Sequence, residues 1–225
     1  MPSLFGHYPQ RPANPICENS YVILCNAHDT SSSFLDSFNT VRRNRNARGT
    51  PTDEEQDLLR AMLTFASAGL DSLVKQLIRD ALPVVIDSNV GANEMFKSYI
   101  ERRLKRGEEV DHRLLADVLG DKEPRSRLVQ VLISDLTSQS LQSTDQLLRV
   151  AAFFDIPSNQ LTRDPDNLSQ IFRARNQIIH EMDVDFTQSN RNRRPRARQT
   201  MARFTNEIFR VSNAFLEEVD SRIAI

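Results

Sequence analysis

The chain has 225 residues, 39% of them hydrophobic, which is enough for one substantial core. Its longest apolar runs, residues 21–25 and 83–86, are far too short to span a bilayer, and no signal-peptide pattern marks the start. A formal net charge of −1 excludes a general polyanion binder, and two cysteines, Cys17 and Cys25, point to a reducing, cytoplasmic setting without a disulfide framework.

Residues 1–50 read as an N-terminal arm. Pro2, Pro9, Pro12 and Pro15 interrupt its first part. A short helix is predicted over 31–46, with Phe34, Phe38 and Val41 on one side and Leu35 beside them. It ends in a first arginine cluster, Arg42, Arg43, Arg45 and Arg48, before Gly49, Thr50 and Pro51 break the chain.

Residues 51–225 read as one helical domain. Thr52 followed by Glu55 is a capping-box pattern, and the acidic residues of that first turn suit the helix dipole. The helix runs to about Leu82 and is expected to stop at Pro83. Leu59, Met62, Leu63, Ala66, Leu70, Leu73 and Leu77 share its apolar face, and Arg60, Thr64, Asp71 and Lys75 lie opposite. Ala66, Ala68 and Gly69 leave room for a neighbour to approach closely. Shorter helices are predicted over 92–105, 110–119, 124–138 and 144–154, with a second capping pattern at Ser143 and Gln146. Asp164 and Pro165 open the next helix, since proline in a first turn loses no needed N–H. Helical period returns over 197–219 through Met201, Phe204, Ile208, Val211 and Phe215. With no strand-like alternation, the fold class is all-α, an antiparallel helical bundle with an irregular N-terminal arm.

The stretch 171–183 carries the most informative anomaly. At about 100° per residue, Ile171, Phe172, Ala174, Ile178, Ile179 and Met182 fill one apolar arc. Arg173, Asn176, Gln177, His180 and Glu181 fill the other. Arg175 falls in the middle of the apolar arc, where a guanidinium is costly unless it has a partner or a polar cleft. A second arginine cluster follows, Arg191, Arg193, Arg194, Arg196 and Arg198. Of the 29 basic residues 25 are arginine, whose planar fork matches phosphate, so the pattern points to a specific anionic partner.

The string from Arg175 through Asn176 to His180 resembles the R-[N/D/H]-x(3–5)-H motif of the HEPN superfamily, all-helical proteins that include many metal-independent endoribonucleases. The order of motif helix, basic loop and last amphipathic helix, over roughly residues 52–222, is also similar to that superfamily and to its RiboL-PSP-like members. The resemblance implies catalytic roles for Arg175, Asn176 and His180. Arg173, Arg191, Arg193, Arg194, Arg196 and Arg198 are then the residues expected to bind RNA. It implies no cofactor and no metal, a homodimer, and a toxin, phage-defence or RNA-processing setting, with a regulatory or antitoxin protein as an optional partner. Met182 stands where some HEPN toxins carry a modifiable tyrosine, which puts that route of regulation in doubt.

Residue chemistry alone leaves other readings open. His180 also reads as a surface histidine at a helix end, Arg175 as one half of a buried ion pair, and the basic loop as a solvated charge run. Cys17, Cys25 and His28 match no familiar zinc spacing and read as structural. An alternative function is a non-catalytic helical module that binds RNA or a protein. Arg175 and His180 lie about 140° apart on an ideal helix, so either Arg175 wraps around its helix, or the helix is distorted, or a second chain completes the site, the last being what the resemblance implies.

Overall fold

The helix opened by Thr52 is the post against which the other long helices pack. The computed structural model describes residues 6, 8–46, 48–106, 109–141 and 143–223. Residues 1–5 and 7 of the N-terminal arm, Pro2 among them, lie outside the described residues. The chain runs through α1 (Glu18–Asn44), α2 (Asp53–Asp80), α3 (Leu82–Ser88), α4 (Val90–Leu104), α5 (His112–Leu119) and α6 (Pro124–Thr137). It continues through α7 (Thr144–Phe153), α8 (Ser158–Leu161), α9 (Pro165–Glu181) and α10 (Arg198–Arg222). Apart from a two-residue antiparallel ladder between β1 (Lys105–Arg106) and β2 (Glu109–Val110), the fold is all-α. Among the described residues no helix is long and apolar enough to cross a membrane.

At the start of α2 the capping box is present in both halves. The Thr52 hydroxyl accepts from the Glu55 N–H at 3.3 Å, and the Glu55 carboxylate accepts from the Thr52 N–H at 2.9 Å. Glu55 is buried and also receives Arg42 at 2.9 Å and Arg45 at 3.1 Å. The hydrogen bond from Arg42, then that from the Thr52 N–H, holds its carboxyl below the usual glutamate range. Part of the first arginine cluster is therefore spent on joining the end of α1 to the start of α2.

The helix expected over 31–46 begins much earlier, at Glu18. Its first half is rich in Asn, Ser, Thr and Asp, residues that compete for backbone hydrogen bonds and weaken a local helical signal. Tertiary packing overrides that weakness. Ser20 donates to the Leu73 carbonyl at 3.4 Å and Ser31 to the Met62 carbonyl at 3.2 Å, so α1 runs antiparallel to α2 with buried hydroxyls in the seam. Leu24, Ala27, Leu35 and Phe38 supply the apolar part of that face. Residues 8–14 are irregular, pinned where the Ala13 and Asn14 N–H groups donate to Asp220, each at 2.8 Å.

At Gly69 α1 and α2 approach so closely that a Cβ there would overlap the Ala27 Cβ. Gly69→Ala is expected to destabilise the protein by about 1–3 kcal/mol, despite alanine's better helix propensity, because neither backbone can step aside cheaply. Urea melts of Gly69→Ala and of Gly69→Ala/Ala27→Gly check this. The second glycine is expected to restore most of the loss, and an additive pair would place the strain elsewhere.

Pro83 does not end the helical run. It sits in the first turn of α3, where its missing N–H is harmless, and the chain turns at Ala81. Arg60, expected on the outer face of α2, is only 3% exposed, and the reason lies in the loop after α9.

Candidate active site

Helix α9 is fixed at its start by Asp164, whose carboxylate accepts from the Asn167 N–H at 2.9 Å, with Pro165 in the first turn. Leu168, Ile171, Phe172 and Ala174 are buried in the common core. The second half of the helix is only partly covered, with Ile178 still packed against the core. Ile178 is half-buried, Ile179 is 36% exposed and Met182 67% exposed, so the apolar arc read from the sequence is only half covered.

Arg175 stands at that transition, partly buried. Its Nη1 donates to Asn176 Oδ1 at 2.9 Å, and its buried Nε has no partner. Among the described residues no carboxylate lies within ion-pair distance of it. Asp71 is near enough to act through its charge, but its oxygens take Lys75 at 3.0 Å and the Leu141 N–H at 2.7 Å. Burial lowers the guanidinium pKa from its ordinary value, and the Asp71 charge opposes this. The partner that a buried ion pair would need is missing.

His180 is exposed near the C-terminal end of α9, and none of the described residues hydrogen-bonds its ring. Asn176 and Arg173 line a cleft of about 370 Å³ between α9 and the start of α7, with Ser143, Thr144, Glu181 and Arg194. Thus the Arg175 and Asn176 side chains are joined, Asn176 shares a cleft with Arg173, and His180 and Arg175 lie outside that cleft's lining.

The end of α9 is held by a buried carboxylate. Met182 and Asp183 both have left-handed backbone, at φ 50° and 61°, a costly choice for residues with a Cβ. Asp183 offsets that cost. Its N–H donates to the Gln177 carbonyl at 2.9 Å, and its own carbonyl accepts from the Arg194 N–H at 2.8 Å. Its carboxylate, fully buried, accepts from Arg60 Nε and Arg196 Nε, each at 2.8 Å, and from Arg196 Nη2. Arg60 also reaches Asp57 at 3.0 Å and the Arg194 carbonyl at 3.0 Å. Sequence reasoning missed Arg60 and Asp183. A helical position beside a core leucine and an acid three residues after the motif's histidine were the available signals.

The second arginine cluster is an ordered turn, with residues 184 and 193 paired as an antiparallel bridge. Arg193 pairs with Asp57, Arg194 with Glu181 at 2.8 Å, and Arg196 with Asp183. Arg198 donates to Asn39 at 2.9 Å. Arg191 and Arg173 are exposed and keep guanidiniums that no described residue engages. Of Cys17, Cys25 and His28, Cys17 is buried, with its thiol pushed up to about 12 chiefly by that burial, and His28 lies between the rings of Tyr8 and Phe209. Among the described residues no group of three or more His, Cys, Asp or Glu side chains is arranged to hold a metal ion. The chain matches no family profile, no curated protein and no solved structure.

Proposed function

We propose that the protein is a HEPN-type endoribonuclease that works as a homodimer and cuts RNA without a metal. The observation that carries this reading is Arg175: a partly buried guanidinium with no counter-carboxylate, hydrogen-bonded to Asn176 and less than two turns from an exposed histidine. RNA brings its own nucleophile. His180 takes the proton of the 2′-hydroxyl as its oxygen attacks the adjacent phosphorus, because an imidazole titrates near neutrality. Arg175 stabilises the charge that builds on the phosphorane oxygens, and Asn176 orients Arg175. The 5′-oxygen leaves with a proton, and the products are a 2′,3′-cyclic phosphate and a 5′-hydroxyl. DNA, lacking the 2′-hydroxyl, is bound at most. The biological setting is a toxin or phage-defence role.

A second chain supplies what one chain lacks, since Arg175 and His180 diverge on their helix. The exposed side chains of Ile179 and Met182, on the same face as Arg175, provide an apolar surface for it. Sedimentation is expected to give a dimer, and Met182→Glu to shift it towards monomer with loss of cleavage. A wild-type monomer that still cleaves RNA would end the composite-site argument. The divergence also favours one other reading, a helical module that binds RNA or protein without cutting it. Incubating mixed RNA with wild type beside His180→Ala separates the two.

A further inference from the structure

Most arginines of the loop after α9 already have partners, which leaves open where an RNA strand would find its cations. Three other arginines answer this by position. Arg102 on α4, Arg149 on α7 and Arg173 on α9 are exposed, and none makes an ion pair or hydrogen bond with a described residue. Each lines a cleft. Arg173 lies in the cleft that contains Asn176. Arg149 and Arg102 line a cleft of about 530 Å³ with Tyr99, Arg103 and Asp135, and Arg149, Tyr99 and Asp135 also line a neighbouring one of about 300 Å³.

These clefts meet at the first turn of α7. Ser143 and Thr144 face the Arg173 side, and Gln146 lines the Arg149 side. Ser143 Oγ accepts from the Gln146 N–H at 3.2 Å, so the two linings are bonded to one another. From Thr144 to Arg149 the helix rises about 7.5 Å. Across these clefts five arginines, Arg102, Arg103, Arg149, Arg173 and Arg194, face two carboxylates, Asp135 and Glu181, a charge excess of three. Both carboxylates are engaged: Asp135 accepts from Tyr99 at 2.6 Å and lies 3.4 Å from Arg103, and Glu181 pairs with Arg194. The cleft around Arg163 and Arg210 has the opposite balance, with Asp164, Glu207 and Glu218 in its wall.

We infer that single-stranded RNA crosses the protein along this track, from Arg173 and Asn176 over the start of α7 to Arg149 and Arg102. The inference rests on the ribonuclease reading and extends it with a path for the strand. Tyr99 and Phe172, the aromatic residues in these walls, are buried, so bases are not stacked on rings. The strand is held through its phosphates, with the hydroxyls and amides between them, and base preference is weak.

The test uses fluorescence anisotropy of a labelled 20-nucleotide RNA of mixed sequence with full-length protein carrying His180→Ala, so that the probe stays intact. Arg102→Gln/Arg149→Gln/Arg173→Gln is expected to bind at least about tenfold more weakly at 0.1 M salt. It is also expected to flatten the log–log salt dependence by about 2, roughly 0.7 for each lost contact to a single strand. Arg191→Gln is expected to change the slope by clearly less than the roughly 0.7 of one lost contact. All three track side chains are exposed and unpaired among the described residues, so the melting temperature should stay within about 2 °C. Unchanged affinity and slope in the triple variant overturn the track. Displacement of the RNA by polyglutamate as effective as by unlabelled RNA does so too, and marks a surface for an acidic protein. Wild type that binds through the track and cuts no RNA removes the ribonuclease reading and keeps the track. Cleavage with a track variant of normal affinity does the reverse.

Discussion

Protein carrying His180→Ala is expected to cleave RNA about a hundredfold or more slowly than wild type, the usual scale for losing an acid–base group. Arg175→Ala is expected to lose about as much, because a charge stabiliser of the transition state is removed. The two variants are informative because neither disturbs the fold. His180 is exposed, and Arg175 leaves no buried carboxylate behind when it goes, so its removal costs no ion pair. Gel analysis of the products and a thermal melt of each variant give both halves of the result. EDTA is expected to leave the wild-type rate unchanged. Cleavage that persists in His180→Ala, or that stops with EDTA, rules out the mechanism. Equal RNA binding with no cleavage by either protein supports the non-catalytic module.

The largest effect on stability is expected at Asp183. Replacing it with alanine leaves Arg60 buried and Arg196 nearly so, both without their shared carboxylate, a change that costs about 3–5 kcal/mol. For a chain of this size that corresponds to a melting temperature lower by roughly 6–20 °C. Asp183→Asn keeps the shape and one acceptor oxygen, and is expected to recover part of the loss. A thermal melt within about 2 °C of wild type for the alanine variant would mean that the clamp is not what holds the end of α9.

The helical class, the Thr52 and Ser143 caps and the start of α9 at Pro165 were legible because each depends on residues within one turn. The start of α1 was not, because its first half mixes an apolar run with Asn, Ser, Thr and Asp, and hydroxyls bond it to α2 across 31 and 53 residues. Pro83 misled because a proline in a first turn looks the same in sequence as a proline that ends a helix. In the candidate site, the wheel placed Arg175 and His180 on opposite arcs correctly. It gave no warning that Ile179 and Met182 stay exposed while Ile178 still packs against the core, since burial depends on what packs there. The second arginine cluster looked like free charge. Its carboxylates, Asp57, Glu181 and Asp183, sit in other elements or before the turn, and pairing across the fold leaves no local pattern.

The clamp on Asp183 also says something about the order in which the molecule is finished. Its bonds close over unequal spans: 13 residues from Asp183 to Arg196, but 123 back to Arg60. Closing loops of that length is entropically costly until other packing has brought the ends together. The seam between α1 and α2 spans far less chain and can assemble first. A growing polypeptide therefore carries its motif helix for some time before the left-handed turn at its end is fixed. The arginine that completes the lock is also the last of these groups to be synthesised.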